Sequence, residues 1–202
     1  MGILYSLVWL AGQIPIRLGL IQSFGWENVP CEGGVILASN HQSYWDPPIL
    51  GCAINRPAYY LAKQELFRLP VLGWILPRVH AVPIRRGTPD PKANKKAIKL
   101  LLSGHCLILF PEGTRARGDR FLEPKSGVGL LALEAKVPVV PVYLQGTRNL
   151  FFKWLIGKRT KVRFGSPLNS EWLERIPADR EGYRQIAQEV MKRIESLRQS
   201  IR

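Results

Sequence analysis

VILASNHQSYWDPPILGCAI, residues 35–54, packs an apolar run, a polar loop and a second apolar run into twenty positions. VILAS (35–39) is short, rich in branched side chains and free of charge, the pattern of a strand buried on both faces of a sheet. PPILGCAI (47–54) follows an aspartate with two prolines and reads as the start of a helix. Between them, His41 and Asp46 stand five residues apart. On a helix that interval would turn the two side chains about 140° away from each other, and on a strand it would set them on opposite faces. If they meet, the segment between them is a loop. Asp46 ahead of Pro47 also has the form of a helix N-cap. Pro48 has no N–H, so only Ile49 could donate to such a cap in the usual way. The prolines therefore leave this carboxylate with acceptor capacity to spare, suited to orienting an imidazole from outside the helix. An ordinary cap with an incidental histidine nearby is the plainer alternative.

The same strand-then-helix rhythm continues along the chain. AYYLA (58–62), AVPI (81–84), CLILF (106–110), VVPVYL (139–144) and KVRF (161–164) read as further strands. QELFRLPVLGWIL, PKANKKAIKLLLSG and GVGLLALEAK separate them as helical stretches, the second opened by Asp90-Pro91 and closed by Gly104. Such alternation predicts an α/β fold: a single domain with a largely parallel central sheet flanked by helices. From Glu181 to Arg202, Tyr183, Ile186, Ala187, Val190, Ile194, Leu197 and Ile201 recur at helical spacing, so the tail is expected to lie as an amphipathic helix over the body. Pro138 and Pro141 within a strand-like run point to an edge, a bulge or a place where a ligand approaches.

Residues 1–26 carry one charge, Arg17, and are interrupted by Gln13 and Pro15. They fall short of the roughly 18–20 apolar residues that a spanning helix needs. The expectation is an N-terminal apolar, membrane-interacting segment (1–26), a helix lying in the bilayer interface, ahead of the main domain (27–202). A helix packed on the domain's own core is the alternative.

The chain has 29 Lys and Arg against 15 Asp and Glu, a formal charge of +14. That excess implies an anionic partner: nucleic acid, an acidic membrane surface or phosphorylated substrates. No nucleic-acid-binding motif accompanies it. Apolar and basic residues interleave in FRLPVLGWILPR (67–78) and LFFKWLIGKR (150–159), which favours anionic membrane lipids. Cys31, Cys52 and Cys106 are scattered and odd in number, which favours a reducing compartment, and no metal-ligand spacing is present.

CLILFPEGTRARGDR (106–120) runs a strand into a turn that cannot continue it. Gly113 permits a tight turn with exposed amides, Thr114 adds a hydroxyl, and Arg115 a planar fork suited to phosphate. Loops at strand ends are where α/β folds bind ligands. AVPIRRG (81–87) ends a strand in Arg85 and Arg86. GVGLLA (127–132) fits G-x-G-x-x-A but follows FLEPKS rather than a strand, so the context of a dinucleotide site is missing. No G-x-S-x-G elbow exists.

Taken in order, these stretches resemble the glycerolipid acyltransferase family. Asn40, His41 and Asp46 match its first block, and Phe110 to Arg115 its Phe-Pro-Glu-Gly-Thr-Arg block intact. Val137 to Leu144 looks like its proline-bearing hydrophobic block, and VRFGSP (162–167) like the strand and turn beyond. The second block departs: where the family commonly reads Gly-x-Ile-Phe-Ile-Asp-Arg, this chain has HAVPIRR, in which Arg86 matches the final arginine while His80, Pro83 and Arg85 replace glycine, phenylalanine and aspartate.

The resemblance implies an enzyme of the 1-acylglycerol-3-phosphate O-acyltransferase type. It would move a fatty acyl chain from acyl-CoA or acyl carrier protein, with no cofactor or metal, to the free hydroxyl of a lysophospholipid acceptor, lysophosphatidate. His41 would be the general base and Asp46 would fix its tautomer. Gly113, Thr114 and Arg115, assisted by Arg86, would grip the acceptor phosphate. Glu112 would shape that loop or contact the glycerol. Attack would be direct, with no acyl-enzyme on Ser39 or Ser43. The protein would sit peripherally on the cytoplasmic face of the cell membrane. Because the second block departs, a different lysolipid acceptor, such as an amino-acid lipid, is the alternative; a basic lipid-binding protein without catalysis is the non-enzymatic one.

Overall fold

The computed structural model describes residues 2–118 and 120–200. All six stretches read as strands enter one seven-stranded sheet. Its strands are β1 (Ile21–Phe24), β2 (Val35–Ser39), β3 (Ala58–Lys63), β4 (Ala81–Ile84), β5 (Cys106–Leu109), β6 (Val139–Gln145) and β7 (Thr160–Phe164), in the spatial order β1-β7-β6-β2-β5-β3-β4. Every pairing is parallel except β6 with β7. β2 and β5, side by side at the centre, are buried along their whole length, which is why their sequences read as continuous apolar runs.

The helices are α1 (Ile3–Arg17), α2 (Asp46–Cys52), α3 (Pro70–Arg78), α4 (Pro91–Leu102), α5 (Gly127–Ala135), α6 (Leu150–Leu155), the short α7 (Ser170–Leu173) and α8 (Arg180–Gln199). QELFRLPVLGWIL is not one helix: Gln64–Arg68 forms a 3-10 turn, and Pro70 starts α3 afresh. α4, α5 and α8 cover one face of the sheet in a core with Leu107, Leu109 and Val139. α1, α2 and α6 lie on the other, where Ile49, Leu50, Ile16 and Leu150 pack over Leu37, Ile108 and Val142. α3 adjoins this second layer through Tyr60. Along the tail helix, Ile186, Ala187, Val190 and Ile194 are fully buried as the spacing predicts, and Tyr183 and Leu197 partly; Ile201 lies outside the described residues.

Two expectations meet a different outcome. The sheet begins inside the stretch assigned to the N-terminal segment, because Ile21–Phe24 pairs in parallel with Thr160–Arg163. Only four residues long, IQSF gives no alternation strong enough to be read from sequence. β6, despite its prolines, is interior between β7 and β2. Pro141 is accommodated where the antiparallel ladder ends: Gly165 N–H donates to its carbonyl at 2.8 Å, and with no N–H to return, pairing starts at Val142. No helix among the described residues is long and apolar enough to cross a membrane, in keeping with residues 1–26 falling short of a spanning helix. α1 docks on the domain along one side, Trp9 Nε1 donating to Ile54 O at 3.3 Å and Gln13 Nε2 to Cys52 O at 3.0 Å. Its outer stripe of Ile3, Leu7, Leu10 and Ile14 stays exposed.

Because the core strands are parallel, their C-terminal ends share one edge of the sheet. At that edge, β2 leads into α2 on one face, while its neighbour β5 leads to α5 on the other. Neighbouring chains that part to opposite faces leave a crevice between their loops, the switch point at which such folds bind ligands. His41 follows β2 and Glu112 follows β5, so both fall in this crevice.

GVGLLA turns out to serve helix packing. Gly129 lies so close to α8 that an added Cβ would stand 2.2 Å from Tyr183 O and 2.6 Å from its Cα. Gly129→Ala is expected to cost about 1–3 kcal/mol by overpacking, read as a lower denaturation midpoint with unchanged slope.

Candidate active site

The loop after β2 is built around a single carboxylate. Asp46 Oδ2 accepts from His41 Nδ1 at 2.8 Å, Gln42 N at 2.6 Å and Ser43 N at 2.7 Å. Asp46 is therefore not the cap of α2. Trp45 occupies the cap position, and the carboxylate turns back into the loop, as the two prolines leave it free to do. Asp46 is wholly buried and His41 only 5% exposed. A carboxylate acting as acceptor requires the proton of a neutral imidazole on Nδ1, which leaves the Nε2 lone pair available. No described protein group occupies Nε2. The ring is steadied from one side by Phe110, stacked at 4.0 Å between centroids.

Two further side chains lock this loop to the sheet. Asn40, fully buried, donates to Leu144 O at 3.0 Å and accepts from Leu144 N at 2.8 Å, satisfying the backbone of β6 where the strand pairing ends. Glu112, 2% exposed, accepts from His41 N through Oε1 at 2.7 Å and from Leu122 N through Oε2 at 2.8 Å. Of the two roles expected for Glu112, shaping the loop is the one its bonds serve, since both oxygens are engaged by backbone amides. Burial pushes its carboxyl above the usual range, while those two amides pull it back down. Ala116 N–H closes the contact by donating to His41 O at 2.9 Å.

The basic residues gather at the rim. Arg115 donates to Tyr44 Oη at 2.9 Å and lies over the Tyr44 ring at 3.6 Å. Arg86 is held below its ordinary pKa, first by desolvation and then by repulsion from Arg115. Two guanidiniums that repel each other at the mouth of a crevice suit an anionic group between them. Gly113, at φ +68°, and Arg86 line a cavity of about 450 Å³ behind this rim, with Leu61, Ile108 and Leu131 among its apolar walls. Thr114 is exposed beside them.

Sequence reasoning missed Lys125, which also lines the cavity and lies against Gly113, where a Cβ would come within 2.9 Å of its Cδ. It missed Tyr44 as well. No local motif distinguishes either from an ordinary surface residue. The departure at His80 has a structural explanation. The residue sits at φ +65°, the left-handed region that favours glycine, and its ring is stacked between Tyr5 at 4.2 Å and Tyr59 at 4.5 Å. Pro83 is tolerated because β4 is an edge strand.

Covalent alternatives find no support in the geometry. Ser39 Oγ donates to Asn40 O, and Ser43 Oγ accepts from Trp45 N. Burial pushes the thiols of Cys52 and Cys106 up to about 11 and about 12. An oriented imidazole with a free nitrogen, beside an anion-receptive rim and an apolar cavity, suits general-base attack by a substrate hydroxyl that carries an anionic group.

This is the arrangement of an acyl-transferring enzyme, and comparison with known proteins agrees. A family model described as Acyltransferase matches residues 21–145. The chain is 35% identical over 164 residues to a 1-acyl-sn-glycerol-3-phosphate acyltransferase of Bacillus subtilis, covering 79% of each chain. The crystal structure of the 1-acyl-sn-glycerophosphate (LPA) acyltransferase PlsC from Thermotoga maritima superposes with a TM-score of 0.73 at 27% identity, covering 96% of this chain and 79% of that one. A lyso-ornithine lipid O-acyltransferase of Pseudomonas aeruginosa is 33% identical over 116 residues, covering 57% of this chain and 44% of that protein. The chain belongs to the acyltransferase family.

Two substitutions test the framework. Glutamine at position 112 offers one acceptor oxygen for two amides, so Glu112→Gln should lower stability by about 1–3 kcal/mol. Asn40→Ala strands a buried N–H and a buried C=O of Leu144, and should cost roughly 2–4 kcal/mol. Chemical denaturation reads both.

Proposed function

We propose that this enzyme transfers a fatty acyl chain from a thioester to the free hydroxyl of 1-acylglycerol-3-phosphate, forming phosphatidate in phospholipid synthesis. The observation that carries the mechanism is the 2.8 Å contact between His41 Nδ1 and Asp46 Oδ2, with Nε2 left free. His41 Nε2 takes the proton of the acceptor hydroxyl as its oxygen attacks the thioester carbonyl. The tetrahedral intermediate then collapses, the C–S bond breaks, and the imidazolium returns its proton to the leaving thiolate. Asp46 holds the tautomer and stabilises the imidazolium, as carboxylates do in hydrolase triads. Arg115 and Arg86 hold the acceptor's phosphate, with Gly113 and Thr114 shaping the turn beside it. The donor thioester comes from acyl-CoA or acyl carrier protein.

The surface supports attachment to a membrane. Large apolar side chains stand exposed on α1, on α3 (Val71, Leu72, Trp74) and on α6 (Phe151, Phe152, Leu155), all in the layer on the α2 side of the sheet. Trp45, at the mouth of the site, meets Phe151 edge-on at 5.1 Å. This layer would rest at the headgroup level of the cytoplasmic leaflet, with Lys153, Lys158 and Arg159 drawn to anionic lipids.

A second acceptor reading, an amino-acid lysolipid, draws on the similarity to the lyso-ornithine lipid enzyme. Purified protein incubated with lysophosphatidate, with lyso-ornithine lipid and with each donor separates the two readings. Phosphatidate is the expected product. His41→Ala should lose about 10²- to 10⁴-fold in turnover, whereas Arg115→Ala should chiefly raise KM for lysophosphatidate. Full activity in His41→Ala would end the general-base mechanism. Unchanged acceptor kinetics in Arg115→Ala would remove that residue from the phosphate site.

A further inference from the structure

One basic surface lies outside the catalytic crevice and is not explained by it. α4 reads PKANKKAIKLLL and contains no acidic residue. Its apolar face, with Ala93, Ala97 and Leu101, is buried against the sheet. Lys92, Lys96 and Lys99 recur at intervals of four and three, one exposed stripe about 10 Å long at 1.5 Å per residue. Like charges at that spacing disfavour a helix, and among the described residues none of the three makes an ion pair. Nor does the flanking sequence balance them. Residues 33–111 hold ten Lys and Arg but only three acids, Asp46, Glu65 and Asp90. Asp46 and Asp90 are buried, and Glu65 is paired with Lys63 at 3.6 Å.

The stripe borders a groove of about 550 Å³ along the edge strand β4, lined by Arg68, Pro83, Arg85, Asp90, Lys92 and Lys96. Arg85 and Asp90 also line the cavity that reaches Phe110, the ring stacked on His41. The groove beside the lysine stripe and the cavity beside the reacting centre therefore adjoin at the Arg85–Asp90 pair, on the side of the sheet away from α1 and α6.

We propose that this stripe and groove dock an acidic, soluble acyl carrier protein, whose thioester-bearing arm runs from the groove into the cavity. The proposal rests on the acyl-transfer reading above and selects between its two donors. The charge distribution supports a protein rather than a nucleotide. The phosphate position at the α4 N-terminus is already filled by Asp90, which accepts from Ala93 N at 3.1 Å and from Arg85 N at 2.9 Å. The lysines are separate point charges along a helix, matched by a partner helix with carboxylates every three or four residues. A membrane fits this surface less well: of α4, only Leu102 is a large exposed apolar side chain.

The test compares wild type, K92E/K96E/K99E, and a control, K136E/R180E/K192E, that shifts net charge equally at exposed sites elsewhere. Each is assayed with palmitoyl-acyl carrier protein and with palmitoyl-CoA, and binding of fluorescently labelled palmitoyl-acyl carrier protein is measured by anisotropy. The α4 variant should lose about tenfold or more in kcat/KM with the carrier protein, through KM, while palmitoyl-CoA and the control stay within about twofold. Wild-type carrier binding should weaken with added salt. Equal losses with both donors, no loss with either, a matching loss in the control, or no carrier binding by wild type would each overturn the proposal. Should neither donor support transfer, carrier binding that is abolished in the α4 variant alone still upholds the docking surface, and the failure then belongs to the acyl-transfer reading.

Discussion

The site depends on one oxygen. Asp46 Oδ2 draws an imidazole and two consecutive amides to itself, so residues 41–46 close into a loop with little remaining freedom. Such charge-assisted bonds, removed from water, are among the strongest a side chain forms. The cost of burying the carboxylate is offset only while all three donors are in place, which makes the arrangement self-checking. Displacing the histidine leaves a buried charge with fewer partners, and displacing the charge leaves amides unsatisfied. Pro47 and Pro48 contribute by omission, since a helix start without their N–H groups cannot compete for the acceptor.

Around that oxygen, two other buried polar side chains connect the loop to the rest of the sheet. Asn40 joins it to β6 and Glu112 to the turn beyond β5, so three separate segments converge on His41. The parallel order of the strands makes the convergence possible by bringing their C-terminal ends to one edge. The parting of β2 and β5 to opposite faces then opens the space a substrate enters. Buried hydrogen bonds hold the imidazole, while Arg86 and Arg115, which repel each other, lie toward the surface. The polar base fixes the orientation of the imidazole, and the repulsion between the rim arginines is of the kind an anionic group would relieve.

Much of the architecture was legible from periodicity. Six strands, the capped α4 and the amphipathic tail all announce themselves, because burial on two faces or one imposes a pattern on the chain. β1 was not legible: four residues within an apolar stretch carry no period, and only its partner β7 makes it a strand. The packing of Gly129 against Tyr183 was hidden behind a motif-like spelling, since close approach depends on a helix more than fifty residues away. His80 illustrates the opposite case. Its departure from the expected glycine could be seen, but its reason, a stack between Tyr5 and Tyr59, needed three distant segments side by side.

For the site, the sequence by itself determined the chemical parts: an imidazole and a carboxylate that could meet only across a loop, and a glycine turn followed by arginine. These are local facts, settled by which backbone positions lack an N–H or permit a positive φ. Only the tertiary structure decided what those parts face. It turned Asp46 away from its own helix, spent both oxygens of Glu112 on backbone, and brought Lys125 and Tyr44 to the mouth. Those outcomes depend on contacts between residues far apart in the chain, and no window of sequence contains both partners.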